Sequence, residues 1–207
     1  MIQLSDVSIQ FEEPILTNVS VTFQEGKIYG LVGANGSGKS SVLRAIARLI
    51  KYEGKIEVGG SNVTQAQSGF QKVMYFEHSE WFDYNLTAMD YLKLYSKLWK
   101  SEVELKEVVS YWGMEDYVNR KIGKYSLGMR QKLLLSLYAL STSRYLIMDE
   151  PTNGLDKDAV ILFKQWLEKE KVSGKLIVFT SHYHDTIFEL CDAVYEIENH
   201  QLNLVDQ

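Results

Sequence analysis

A chain of 207 residues, 45% hydrophobic and 24% charged, has the make-up of an ordinary globular domain and is long enough to bury a sizeable core. Its net charge of −5, with no basic stretch, argues against a nucleic-acid partner. A single cysteine, Cys191, excludes internal disulfides and thiolate metal clusters and reads as a packing residue. No N-terminal stretch reads as a secretion signal and no apolar run is long enough to cross a bilayer, so the expected location is the cytosol or the cytosolic face of a membrane.

The chain opens on a period of two. Leu4, Val7, Ile9 and Phe11 stand against polar neighbours, then Val19, Val21 and Phe23 precede Gly26-Lys27, which predicts half-buried antiparallel strands. Next comes an apolar run, Ile28-Tyr29-Gly30-Leu31-Val32, and then Gly33-Ala34-Asn35-Gly36-Ser37-Gly38-Lys39-Ser40, which fits the phosphate-loop pattern G-x-x-x-x-G-K-S/T. Ser41-Val42-Leu43-Arg44-Ala45-Ile46 continues as a helix. A strand, a glycine-rich turn and a helix start give this pattern its chemistry. Gly33, Gly36 and Gly38 let the backbone curl so that N–H groups, including those of Asn35, Ser37 and Ser41, face phosphate oxygens, and the helix adds its positive end. Lys39 would bridge the β- and γ-phosphates and the Ser40 hydroxyl would ligate Mg²⁺. The implied ligand is a nucleoside triphosphate.

Farther along, Lys55 to Val58, Gly59-Gly60 and Ser61 to Val63 read as a hairpin with a glycine turn. Val73 to Phe76, Tyr145 to Met148 and Leu176 to Phe179 are uniformly apolar, as strands covered on both faces are. Between Asn85 and Leu140 the period lengthens to three and four: Leu86, Met89, Tyr91, Leu92, Leu94, Tyr95, Leu98 and Trp99 predict one helix, Ser101 to Trp112 a second and Gly128 to Leu140 a third. The mixed charges of Glu102, Glu104, Lys106 and Glu107 read as a solvated face, and Leu133 to Leu140 as a buried helix. Both prolines, Pro14 and Pro151, are expected in turns. The predicted architecture is α/β: a single domain over residues 1–207, with residues 1–78 and 141–207 forming the core and its antiparallel β subdomain, and residues 79–140 a helical insert.

The strand Tyr145 to Met148 ends in Asp149-Glu150-Pro151. In a phosphate-loop protein this acidic strand is expected beside the strand that leads to the loop. Asp149 would hold Mg²⁺ through water or through Ser40, and Glu150 would orient and deprotonate the water that attacks the γ-phosphate.

Three further segments bring the chain to a family. Tyr125-Ser126-Leu127-Gly128-Met129-Arg130-Gln131 resembles the Leu-Ser-Gly-Gly-Gln signature of ABC-type ATPases, Asp149 to Asp156 resembles their second acidic motif joined to the D-loop, and Thr180-Ser181-His182 is similar to their switch-histidine motif. Their order and spacing match over essentially the whole chain. The resemblance implies a RecA-like P-loop NTPase core carrying an N-terminal antiparallel β subdomain and an inserted helical subdomain. It also implies a head-to-tail pair of subunits, in which Ser126, Gly128 and the following helix cap the γ-phosphate of the partner's ATP, and Asp156 organises the opposing site. His182 would hydrogen-bond the γ-phosphate or the attacking water. Phe11 stands where the family stacks an aromatic on adenine; from the residues alone, packing on the face of Val7 and Ile9 is nearly as strong a reading.

The family's usual glutamine before the helical insert is absent. Alignment of Val73-Met74-Tyr75-Phe76-Glu77-His78 puts His78 there, as a possible contact to Mg²⁺, with Glu77 just before it. Leu127 and Met129 in the signature resemble the branch that serves two-component exporters of peptides, antibiotics and drugs. The expected protein is therefore an ATP-hydrolysing, Mg²⁺-dependent subunit, a homodimer or heterodimer, bound peripherally to separate permease chains. The cluster Trp81, Phe82 and Tyr84 is a candidate wall of the permease-docking groove, with packing inside the insert the other reading. Competing expectations are a soluble ABC ATPase of DNA repair or translation, disfavoured by only 86 residues between Lys39 and Ser126, a non-hydrolysing nucleotide sensor, and a small-molecule kinase.

Overall fold

The computed structural model describes residues 1–62, 73–181 and 186–205. Strands β1 (Ile2–Gln10), β2 (Pro14–Phe23), β4 (Glu53–Val58) and β5 (Ser61–Asn62) form an antiparallel sheet in the order β2-β1-β4-β5. The expected hairpin is present, with Glu57 opposite Asn62 and Val58 opposite Ser61 across Gly59-Gly60; Val63 lies outside the described residues. Pro14 is not in a turn. It opens β2, an edge strand, where a missing N–H costs no ladder bond.

The second sheet combines β3 (Ile28–Val32), β6 (Val73–Tyr75), β7 (Tyr145–Met148), β8 (Leu176–Thr180), β9 (Ala193–Glu198) and β10 (Gln201–Val205) in the order β10-β9-β3-β8-β7-β6. All neighbouring pairs are parallel except β9 and β10. This order corrects one expectation. The acidic strand β7 does not adjoin β3; β8 runs between them, paired to both.

Burial on both faces explains why these strands are short and unbrokenly apolar. Tyr29 and Leu31, Tyr145 and Ile147, Leu176 and Val178 pack with helix α1 (Lys39–Ile46) and the antiparallel sheet. Their alternating neighbours Ile28 and Val32, Leu146 and Met148, Ile177 and Phe179 pack with the helices of the opposite face. At roughly 1.5–3 kcal/mol for each large apolar side chain withdrawn from water, strands of four or five residues hold without long ladders.

On that opposite face lie α2 (Ala88–Trp99), α3 (Leu105–Tyr111), α4 (Leu127–Leu140) and α5 (Lys157–Val172). A capping box starts α2, with the Asp90 N–H donating to Thr87 Oγ1 and the Thr87 N–H donating to Asp90. Helix α3 is shorter than its predicted span because Glu104 is extended and the turn begins only at Leu105. Helix α4 is buried nearly all round, with Leu133, Leu135, Leu137, Tyr138 and Leu140 in the core. Neither α5 nor the β9–β10 hairpin figured in the sequence reading.

Candidate functional site

The phosphate loop leaves β3, whose five residues are all buried. Gly38 caps α1 with φ +99, and a Cβ there would sit 2.0 Å from Ile15 Cγ2 of β2, so only glycine fits beneath the loop. Lys39 folds back over the turn, donating to the carbonyls of Gly33 at 2.8 Å and Ala34 at 3.1 Å. The Ser37 N–H donates to Ala34 O at 3.1 Å, while the buried Ser37 Oγ has no hydrogen-bond partner among the described residues. Asn35 and Gly36 are exposed at the loop's tip, Ser40 is half-buried and Ser41 is buried.

Across β8, β7 delivers Asp149 and Glu150. Thr180 Oγ1 donates to Asp149 Oδ1 at 2.5 Å and accepts the Glu150 N–H at 2.9 Å. Glu150 has φ +44, a left-handed conformation uncommon for a side-chain-bearing residue. Asp149 is buried, and its Oδ2 has no hydrogen-bond partner among the described residues. A buried carboxylate oxygen left unpaired beside a serine hydroxyl is a fitting place for a hard cation. Among the described residues no three His, Cys, Asp or Glu side chains form a full metal cage.

One cleft of about 300 Å³ gathers Ser40, Glu77, His78, Asp149 and Glu150, drawn from three distant stretches of sequence, with Gln131 of α4 along its wall. The sequence reading gave His78 the position of interest, but the neighbouring acid is the buried one: the Glu77 side chain is 5% exposed and ion-paired with Arg44 of α1, whereas His78 is 47% exposed. Gln131 Nε2 donates to the carbonyl of Pro151 at 2.9 Å and so ties α4 to the segment after Glu150. Neither Glu77, Gln131 nor Thr180 had been assigned a role.

The signature segment packs against the segment that follows the acids. Ser126 is exposed and caps α4, accepting the Met129 N–H at 3.2 Å. A Cβ on Gly128 would lie 2.6 Å from Gly154 O, so the two backbones need glycine to approach this closely. Asp156 caps α5 by accepting the Ala159 N–H at 2.8 Å and lies 3.6 Å from Lys132 of α4. The Ala159 amide first, and Lys132 after it, hold its carboxyl below the usual range.

Phe11 lies past the end of β1 and is 57% exposed, which removes the packing reading. Phe82 is buried between Phe76 and Tyr91, at ring-centroid distances of 4.9 and 4.8 Å, so it is no groove wall, whereas Trp81 and Tyr84 are 65% and 48% exposed. Cys191 is buried, and burial pushes its thiol up to about 12, in keeping with packing. His182 lies outside the described residues.

The family model described as ABC transporter matches residues 16–153. An uncharacterized ABC transporter ATP-binding protein of Bacillus subtilis (strain 168), YybJ, is 35% identical over 91% of this chain and 88% of its own length. The lantibiotic transport ATP-binding protein SrtF of Streptococcus pyogenes is 30% identical over 87% of this chain and 79% of its own. Among solved structures, the dimeric ATP-binding cassette MJ0796 in a post-hydrolysis state with ADP and Pi superposes with a TM-score of 0.83 at 21% identity, covering 98% of this chain and 96% of that one. That likeness bears on the fold.

Proposed function

We propose that this chain, which belongs to the ABC transporter family and is one of its ATP-binding ATPases, works in pairs around two ATP molecules to drive separate membrane permease subunits. One observation carries the catalytic part: the cleft lined by Ser40 of α1 and by Asp149 and Glu150 at the end of β7, with Asp149 Oδ2 left without a partner among the described residues. Lys39 and the loop amides of Gly33, Asn35, Gly36, Ser37, Gly38 and Ser41 cradle the phosphates, and Phe11 stacks on the adenine. Ser40 and Asp149, with His78 near, would hold Mg²⁺, which when bound would neutralise charge on the phosphate oxygens. Glu150 takes a proton from the attacking water, whose oxygen bonds to the γ-phosphorus as the bond to the β–γ bridging oxygen breaks, leaving ADP and inorganic phosphate. His182 hydrogen-bonds the γ-phosphate. Ser126 and Gly128 of a second copy close the open side of that phosphate, and Asp156 lies at the same interface.

The subunit sits at the cytoplasmic face of the membrane, held there by its permease partner; no helix among the described residues is long and apolar enough to cross a membrane itself. Residues 79–140 are the helical insert that carries Ser126 and Gly128, residues 1–78 with 141–207 are the core that carries the phosphate loop and the acids, and the permease docks in the groove between the two. Export of a peptide or antibiotic is supported by the likeness to a lantibiotic transport protein and by Leu127 and Met129 in the signature. The transporter names of the relatives favour this reading over a soluble repair or translation factor.

The test is Glu150→Gln. Turnover is expected to fall by at least about 10²-fold, with ATP now stabilising a dimer visible by light scattering. A variant that hydrolyses ATP at the parental rate removes Glu150 from the role of base.

A further inference from the structure

Strand β8 separates the phosphate-loop strand from the acidic strand, and its last residue touches both acids. In the parallel register Leu31 of β3 faces Thr180 and Met148 of β7 faces Phe179, so Thr180 stands level with the last residues of β3 on one side and with Asp149 on the other. Thr180 is fully buried. Its hydroxyl has one proton and two lone pairs. The proton goes to Asp149 Oδ1 at 2.5 Å, and a lone pair receives the Glu150 N–H at 2.9 Å.

We infer that Thr180 is a positioning residue for ATP hydrolysis, its one hydroxyl fixing Asp149 and the Glu150 backbone together. This inference rests on the roles given to those two acids above. A β-branched side chain at the end of a buried strand has little χ1 freedom, so the oxygen is held in place. With Oδ1 engaged, Asp149, which lines the cleft together with Ser40, keeps Oδ2 without a partner among the described residues. The bond to the Glu150 amide holds a residue at φ +44, a strained conformation that persists only when neighbours enforce it. That backbone sets the Cα–Cβ direction from which the Glu150 side chain starts. Thr180 touches neither nucleotide nor water in this account and acts through the acids alone.

The experiment compares the purified full-length chain with T180V and T180S, and with E150Q in parallel. Three quantities are read: kcat and KM for ATP, binding of an ATP analogue with a non-hydrolysable β–γ linkage without Mg²⁺, and the gain in that binding when Mg²⁺ is added. Valine keeps the shape and removes the hydroxyl. T180V is expected to lose about 10–100-fold in kcat and most of the Mg²⁺-dependent gain, the usual scale for removing a residue that orients a metal ligand. Metal-free binding should stay within about threefold, since the phosphate loop is unaltered. T180S, which restores donor and acceptor, recovers most of the rate. Should T180V prove insoluble, T180A replaces it with the same expectations. The proposal falls if the hydroxyl-free variant turns over at the parental rate, if serine fails to restore what it lost, or if metal-free binding drops in step with kcat. Parental turnover in E150Q would instead overturn the underlying reading of the acids; loss there beside unchanged turnover in T180V would overturn the role of Thr180 alone.

Discussion

Gly38 carries two separate penalties against any side chain. Its φ of +99 lies where an L-residue is strained, and a Cβ would overlap Ile15 Cγ2 at 2.0 Å. The backbone term alone is worth about 1–3 kcal/mol, and tenfold in an equilibrium corresponds to about 1.4 kcal/mol. The methyl of Ile15 sits on a strand of the antiparallel sheet, and where the loop gives way to it the amides and Lys39 move from their positions. Gly38→Ala is therefore expected to weaken ATP binding by about 10- to 100-fold while the chain stays folded, measured by nucleotide titration beside a thermal melt. Unchanged affinity would mean that the loop absorbs the methyl without moving its amides. At this scale the sequence was most legible: the spacing from Gly33 to Ser40 and the pair Asp149-Glu150 name the groups that the cleft brings together. It was least legible for residues whose importance is purely positional. Nothing in Phe76-Glu77-His78 distinguishes the buried, Arg44-paired acid from its exposed neighbour, because both are polar residues at the end of a strand.

Helix α4 joins the two halves of the site through one buried hydroxyl. Tyr138 OH donates to Ile147 O of β7 at 2.6 Å and accepts the Phe76 N–H, just past β6, at 3.0 Å. Burial above all, with Tyr75 and Asp149 nearby, pushes its phenol well above the ordinary tyrosine range, so it remains a neutral donor. Tyr138→Phe leaves Phe76 N–H and Ile147 O short of a partner in the core, at about 1–3 kcal/mol. For a chain of this size that is a melting temperature lower by roughly 3–10 °C, read by calorimetry, and a change under 1 °C would show that other groups take up both bonds. Elements with a strong period were readable in advance: α2 from its stripe and α4 from Leu133 to Leu140. Helix α5 was readable too, since Asp156 caps it and Ala159, Phe163, Trp166 and Leu167 recur at helical spacing, but Asp156 had been read only as an interface residue. Strand order was not readable. Apolar runs state that strands are covered on both faces, yet the same runs fit β7 beside β3 or one place removed, and only long-range pairing chose the latter.

At the scale of the whole molecule, work on a permease requires a surface that the ATP site can move. The segment between β6 and α2 has the right construction. Phe82 is sunk between Phe76 and Tyr91 and anchors the segment, while Trp81 and Tyr84 on either side point outward. A single exposed aromatic means little, but two rings on an anchored segment, with Trp81 directly after the cleft-lining Glu80, would make a preorganised contact of the kind that dominates interfaces. The two kinds of ring separate binding from folding. Trp81→Ala should leave ATP turnover of the isolated chain within about twofold and reduce association with the permease by at least about 30-fold, the equivalent of a 2 kcal/mol hot spot. Phe82→Ala should instead lower the stability of the chain itself by about 3–5 kcal/mol through the cavity it leaves. Co-purification from detergent-solubilised membranes, with a thermal melt of each isolated variant, reads both effects. Full permease binding by Trp81→Ala would place the docking surface elsewhere on the helical face, and the exposed rings would then be no more than solvated surface.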